Sequence, residues 1–337
     1  MQIYTIKDIA KLSGVGVSTV SRVLNGKPDV GEQTRQKVLE VVEKCNYSPN
    51  NNAKNLKQRE TKNIATIIRG KSSAFLNSII QEMTQASREY KQNFIFEYID
   101  EEADEYQVAK QLVTEKKVEG LIFLGGCALS NYQAVSDLKI PCVYSTVSAD
   151  GSSDKRISSV SINDYESGRK AIEHLISKGH KKIAIITSSP FSDDSIGRRY
   201  KGAISALKDN GIEFDEKYMI ESNFSLNSAY KAVTKKKDIL KEVTAIFALS
   251  DIMAMGASRA IVNEGYKIPE DISIMGFDGI EIGQYFIPTI STIKQPEQIL
   301  ASESIRLIVE SIEADGLDQH VILNASLVEG ESVKTIN

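Results

Sequence analysis

"DIAKLSGVGVSTVSRVLNG", residues 8–26, carries two short apolar-periodic segments broken by Gly14-Val15-Gly16. Just before it, Thr5-Ile6-Lys7-Asp8 has the spacing of a capping box, in which the Thr5 hydroxyl and the Asp8 carboxylate satisfy free N–H groups at a helix start. Ile6, Ile9 and Ala10 then recur at i, i+3 and i+4, which predicts a helix with that stripe inward and Gly14 as its stop. A second helix starts near Gly16 and turns Val20, Val23 and Leu24 inward; Ser18, Ser21, Arg22 and Asn25 fall on the opposite side. A third, about 32–45, buries Val38, Val41, Val42 and Cys45. Two helices joined by a glycine-containing turn make a helix-turn-helix. Packing accounts for the apolar stripe only. The polar face fits a major groove, where Arg22 matches the paired acceptors of guanine and short hydroxyls reach base edges or phosphates. The same face also fits the solvated side of an ordinary helical hairpin.

The chain has 337 residues, 41% of them apolar, enough for two or three globular domains. Its net charge of -4 is unevenly placed. Residues 1–61 hold ten Lys and Arg against six Asp and Glu, and the remainder holds 31 against 39. A basic head on an acidic body points to a polyanion met by the head alone. Cys45, Cys127 and Cys142 are odd in number, far apart and set among apolar residues, which suggests buried free thiols in a cytoplasmic protein. Lys7, Asp8 and Lys11 interrupt any export signal, and no apolar run reaches the length of a membrane span.

From residue 62 onward, "IATII", "FIFEYI", "GLIFLG", "CVYST", "IAIIT", "AIFAL" and "ISIMGF" alternate with helical-period segments, which predicts an α/β body with a parallel sheet. The body also repeats: "KNIATII" at 62 returns as "KKIAIIT" at 181, and "KKVEGLIFLGG" at 116 as "KEVTAIFALSD" at 241. Two such offsets suggest two similar half-domains facing one another. Ligands of open parallel sheets bind beyond the C-terminal strand ends. The residues there are Ser72, Ser73, Phe75, Asp100, Arg199, Asp251 and Asp278. Two carboxylates and a guanidinium hold vicinal hydroxyls through paired charge-assisted hydrogen bonds, and Phe75 supplies an apolar wall, a combination suited to a sugar.

Other chemistries find less support. "ATIIRGKS" at 65–72 ends like a phosphate loop but has Ala65 where that motif needs glycine. His174, His180 and His320 are scattered, without metal-ligand spacing, and no GxSxG elbow occurs. His180 in "SKGHKKIA" reads as a helix end. No cofactor, metal or catalytic residue is expected.

"TIKDIAKLSGVGVSTVSRVLNG" followed by "TRQKVLEVVEKCNYSPN", then "GHKKIAII", "SDIMAMGA", "IPEDISIMGFDG" and "STIKQP", resembles the lactose/galactose repressor family of transcriptional regulators along nearly the whole chain. The resemblance implies a small all-α helix-turn-helix head at 1–49, a hinge at 50–61, and a periplasmic-binding-protein-like α/β body of two parallel-sheet half-domains at 62–337. The first half-domain would hold about 62–160 and 291–319, the second about 161–290 and 320–337, with crossings near 161, 290 and 320. It implies base reading by Val17, Ser18 and Arg22, and backbone contact by Ser21, Asn25, Thr34 and Asn50. Thr5, Ala53 and Leu56 complete the DNA-contacting set, Leu56 as a wedge into the minor groove. Val17 alone fits either an inward stripe or a thymine methyl. Arg199 and Asp251 match the family's ligand-contact positions, while Asp278 in "GFDG" serves structure as much as ligand.

Three departures stand out: Gly16 where serine is usual at the helix start, Asn51-Asn52 in the hinge, and "SSAFLN" around Phe75 where an Asn-Pro-aromatic run is common. The expectation is therefore a ligand-controlled, sequence-specific repressor and not an enzyme. Its partners would be double-stranded, pseudo-palindromic operator DNA and a small-molecule effector, a carbohydrate. A nucleoside, purine-type or phosphorylated corepressor is the alternative. "EGESVKTIN" offers no leucine heptads for tetramer formation, so a homodimer is expected.

Overall fold

The computed structural model describes residues 4–24, 27, 30–45, 47, 63–70, 73–100, 103–126, 132–192 and 194–336. The chain forms two compact units, Met1–Thr61 and Lys62–Asn337.

In the first unit, α1 (Ile6–Ser13), α2 (Val17–Leu24) and α3 (Glu32–Lys44) pack around Ile9, Ala10, Val20, Val23 and Val38. The capping box forms as its spacing predicts: the Thr5 N–H donates to Asp8 Oδ2 at 2.8 Å, and the Asp8 N–H faces Thr5 Oγ1 at 3.4 Å. Gly14 ends α1 in the left-handed region at φ 65°, where a side chain would be strained. Glycine in place of serine at position 16 leaves α2 intact, because the Gly16 carbonyl still accepts the Thr19 and Val20 N–H groups. The third helix buries less than its sequence predicts: Val38 is enclosed, while Val41, Val42 and Cys45 lie at the margin. The cause is length, since two helices of 8 residues, about 12 Å each, cannot cover one of 13, about 20 Å.

The second unit contains two six-stranded sheets. The first is built from β1 (Asn63–Arg69), β2 (Asn93–Ile99), β3 (Val118–Leu124), β4 (Cys142–Ser145) and β5 (Ile157–Ile162). The second uses β6 (Ile183–Thr187), β7 (Met219–Glu221), β8 (Ala245–Ala248), β9 (Ser273–Asp278) and β10 (Ser291–Lys294). One late strand joins each, β11 (His320–Leu323) the first and β12 (Ser326–Val328) the second. The orders are β2-β1-β3-β4-β5-β11 and β7-β6-β8-β9-β10-β12, one topology used twice. Every pairing is parallel except β10 with β12. The crossover helices relevant below are α4 (Ala74–Ala86), α5 (Glu105–Glu115), α6 (Tyr132–Ser136), α7 (Asp164–Ser177), α8 (Ser195–Asp209), α9 (Leu226–Lys235), α10 (Asp251–Asn263) and α11 (Glu297–Ala314).

Two expected crossings shift. Ser291–Lys294 pairs with β9, so it belongs to the second sheet, and His320–Leu323 pairs with β5 in the first. The chain therefore changes sheets after 294 and after 323, not near 290 and 320. β5 also lacks the apolar run that marks the other strands, yet all six residues are buried. Its hydroxyls have partners: Ser159 Oγ meets His320 Nδ1 at 2.8 Å, and Ser158 Oγ accepts the Gln319 N–H at 3.2 Å. Cys142 is fully buried and its thiol is pushed far up by desolvation, Cys45 is half-buried, and Cys127 lies outside the described residues. At His180 the backbone N–H closes the end of α7 on Leu175 O. Its buried ring instead reaches Thr244 Oγ1 at 3.0 Å and Lys334 O at 3.1 Å.

Candidate functional site

Because β1–β5 in one sheet and β6–β10 in the other run parallel, these strands deliver loop residues to one end, and there the two sheets share a cavity of about 360 Å³. Arg69 and Gly70 after β1, Gly126 after β3 and Thr146 after β4 line it from one sheet; Ser188 and Ser189 after β6, Asn223 and Phe224 after β7, and Asp278 line it from the other. The starts of α4 and α8 add Ser73, Phe75, Ser195 and Arg199.

Arg199 organises the second sheet's side. Its Nε donates to Asp164 Oδ1 at 2.7 Å, its Nη1 donates to Leu249 O at 3.2 Å and lies 3.5 Å from Asp278 Oδ1, and its guanidinium stacks 3.8 Å above the Phe277 ring. Asp278 also accepts from Gln295 Nε2 at 2.8 Å. Burial pushes the Asp278 carboxyl up to about 6 against the pull of Arg199 and Gln295, and raises Asp164 for the same reason. On the first sheet's side Arg69 Nε donates to Glu105 Oε1 at 2.9 Å, so both cations that line the cavity among the described residues carry carboxylate partners.

Of the residues expected from sequence, Ser73, Phe75, Arg199 and Asp278 come together here. Ser73 has a second task, since its Oγ accepts the Leu76 N–H and caps α4. Asp100 does not reach the cavity: β2 is an edge strand, and its end lies exposed beyond the lining residues. Nor does Asp251, whose Oδ2 accepts the Gly279 and Ile280 N–H groups at 2.8 and 2.9 Å and so braces the loop after β9. The sequence reading missed Asp164, Gln295, Arg69 with Glu105, Asn223 and Phe224. Asp164 had one local signal, an acid in the first turn of α7 after the Asn163 cap; its partner lies 35 positions away.

In the head, Val17 is 42% exposed, which settles its direction as outward. Thr5, Ser18 and Arg22 are exposed as well, and Ser21 and Thr34 are half-buried. The Thr5 hydroxyl and N–H hold the Asp8 carboxyl below its ordinary range. Asn25, Asn50, Ala53 and Leu56, with the hinge at 50–61, lie outside the described residues. Among the described residues no acid, histidine and cysteine cluster could hold a metal, and no helix is long and apolar enough to cross a membrane.

Residues 5–50 match the family described as bacterial regulatory proteins, lacI family, and residues 172–333 match the periplasmic binding protein-like domain. The HTH-type transcriptional regulator MalR of Clostridium butyricum is 39% identical over 97% of this chain and 98% of its own length. The solved complex of the transcriptional regulator CelR with cellobiose is 27% identical, with a TM-score of 0.72 over 98% of this chain and 99% of that one. The Lac repressor dimer bound to operator and the anti-inducer ONPF shares the fold, with a TM-score of 0.74 at 23% identity over 99% of this chain and all of that one. On identity that runs through head and body alike, this chain belongs to the lacI family of bacterial regulatory proteins.

Proposed function

We propose that the chain is a cytoplasmic, ligand-controlled, sequence-specific DNA-binding repressor that acts as a homodimer and takes a neutral carbohydrate between its two sheets. The observation that carries the ligand reading is the charge balance of the cavity. Arg199 is matched by Asp164 and Asp278, and Arg69 by Glu105, so among the described residues the wall offers directed hydrogen bonds to hydroxyls without a surplus cation for an anionic ligand. Phe75 and Phe224, one from each half, supply apolar surface for a sugar ring. The ligand contacts assigned are Ser73, Phe75, Arg199 and Asp278; Asp251 supports the wall from behind. No catalytic role is assigned to any of them.

On DNA, Val17, Ser18 and Arg22 of α2 read bases in the major groove, with Thr5, Ser21 and Thr34 on phosphates. The homodimer is supported by a second, more apolar groove of about 880 Å³ between α9, α10 and residues 282–288. Ile287, Ile282, Leu226 and Val262 are 90%, 56%, 51% and 51% exposed there, an apolar patch that a second copy of the chain would cover.

The test is a thermal-shift screen of neutral sugars, sugar phosphates and nucleosides, followed by retention of the chain's own upstream DNA with each hit. A neutral sugar is expected to raise the melting temperature and change DNA affinity by a coupling of about 1–3 kcal/mol. Binding no tighter to that DNA than to random fragments at moderate salt, with every compound, overturns the reading; a nucleoside or sugar phosphate as the sole hit replaces the effector.

A further inference from the structure

One guanidinium pairs with two buried carboxyls, and a third stands without a cation among the described residues. Arg199 pairs with Asp164 at 2.7 Å and with Asp278 at 3.5 Å, while Asp251, 1% exposed, has no ion-pair partner among the described residues. Ionising all three would leave two uncompensated negative charges in the protein interior, and buried groups in that position take up a proton instead. The hydrogen bonds say which one. Asp164 faces the guanidinium directly, and Asp278 faces it together with the Gln295 amide. Asp251 receives two backbone N–H groups on Oδ2 and none on Oδ1. That second oxygen is fully enclosed, packed so close to Gly276 that an added Cβ would lie 2.1 Å away.

We propose that Asp251 is a neutral carboxylic acid in the folded protein at neutral pH, its proton on Oδ1, and that this proton is coupled to the cavity residue Asp278. The coupling rests on the effector reading only for its consequence in ligand binding; the proton itself is measured without ligand. Ionising Asp251 would set a second negative charge against Asp278, across the loop that Asp251 braces, and loosen the carboxyl that faces Arg199.

The surroundings agree. Burial and then the charge of Asp278 on β9 raise the Asp251 carboxyl to about 8, opposed by Thr292 on β10 and the N–H groups of Ile280 and Gly279. Behind Asp278 stand Arg199 on α8, Asp164 on α7 and Gln295 after β10. The sign of the pH effect follows. Between the ordinary aspartate value, about 4, and its folded value, native Asp251 holds a proton that the unfolded chain has lost, so stability falls as pH rises and levels off above about 8. Asp278 adds a fall in the same direction that ends near 6. Asp164, raised by the same cause, adds to that fall, and His174 and His180, lowered by burial, oppose it up to the ordinary histidine range, so the part owed to Asp251 is the difference between the parent and Asp251→Asn.

The experiment is infrared spectroscopy of the ligand-free full chain in heavy water, with Asp251→Asn beside it. The parent is expected to show the carbonyl stretch of a protonated carboxyl at pH 7, and Asp251→Asn to lack it. Between pH 6 and 8 the melting temperature of the parent should fall relative to that of the variant. A parent without the band, or a variant that keeps it, overturns the proposal. Should Asp251→Asn fail to fold, Asp278→Asn decides: its band should persist at pH 6 and be lost at lower pH than in the parent. A band abolished by that change assigns the proton to Asp278, and a band whose loss does not move removes the coupling; either result defeats the inference.

Discussion

In the helix-turn-helix unit, Val17, Ser18 and Arg22 stand in solvent on a face its five-residue core does not use, whereas in the two-sheet unit Arg199, Asp164 and Asp278 are each less than one-tenth exposed. The difference is one of cost. An exposed charge keeps its hydration, so a reading face can be rewritten without touching the core. A buried charge must be partnered, so the groups proposed to meet a ligand are also groups that hold the fold. On the proposed roles, specificity for DNA is separable from stability in this chain and specificity for the effector is not.

The contrast can be broken most forcefully at Arg199. Arg199→Ala strands Asp164 and Asp278 and should cost about 3–5 kcal/mol in chemical denaturation. A loss below about 1 kcal/mol would show that the buried network is not structural. Arg22→Ala is the counterpart: about 1–3 kcal/mol of specific DNA affinity should go, with the unfolding midpoint unmoved. Equal affinity of variant and parent for upstream DNA would remove Arg22 from the reading face.

Within the head, Thr5→Ala removes the cap of α1 and should cost about 1 kcal/mol of head stability, whatever Thr5 does on DNA. The smallest effect is expected at Gly16→Ser, which restores a hydroxyl cap to α2 and should stabilise the head by a few tenths of a kcal/mol. Calorimetry of the full chain, with the head transition read by helix content, resolves both.

The strands that could be read from sequence were those with unbroken apolar runs, such as "LIFL" in β3 and "AIFAL" in β8, because strands buried on both faces favour apolar side chains along their length. β5 escaped because two of its serines find their partners, His320 and the Gln319 N–H, 161 positions away. β10, β11 and β12, "STIK", "HVIL" and "SLV", are short and carry polar residues at their ends, and with them went the positions of two crossings. In the site, Arg199 and Asp278 were legible from their places after strands. Asp100 and Asp251 sit after strands too, and nothing local distinguishes them.

Residues 8–26 by themselves fixed the head, since a helix-turn-helix depends on periodicity and a glycine turn, both local properties. The internal repeat likewise fixed a body made of two similar halves. Tertiary structure alone decided which carboxyl faces the cavity. That choice depends on sheet order, which places β2 at an edge and β9 inside, and on a loop that turns its backbone N–H groups toward Asp251 Oδ2 while Asp278 faces Arg199. Hydrogen bonding and burial set by distant segments determined the role of each acid, and no spacing along the chain encodes them.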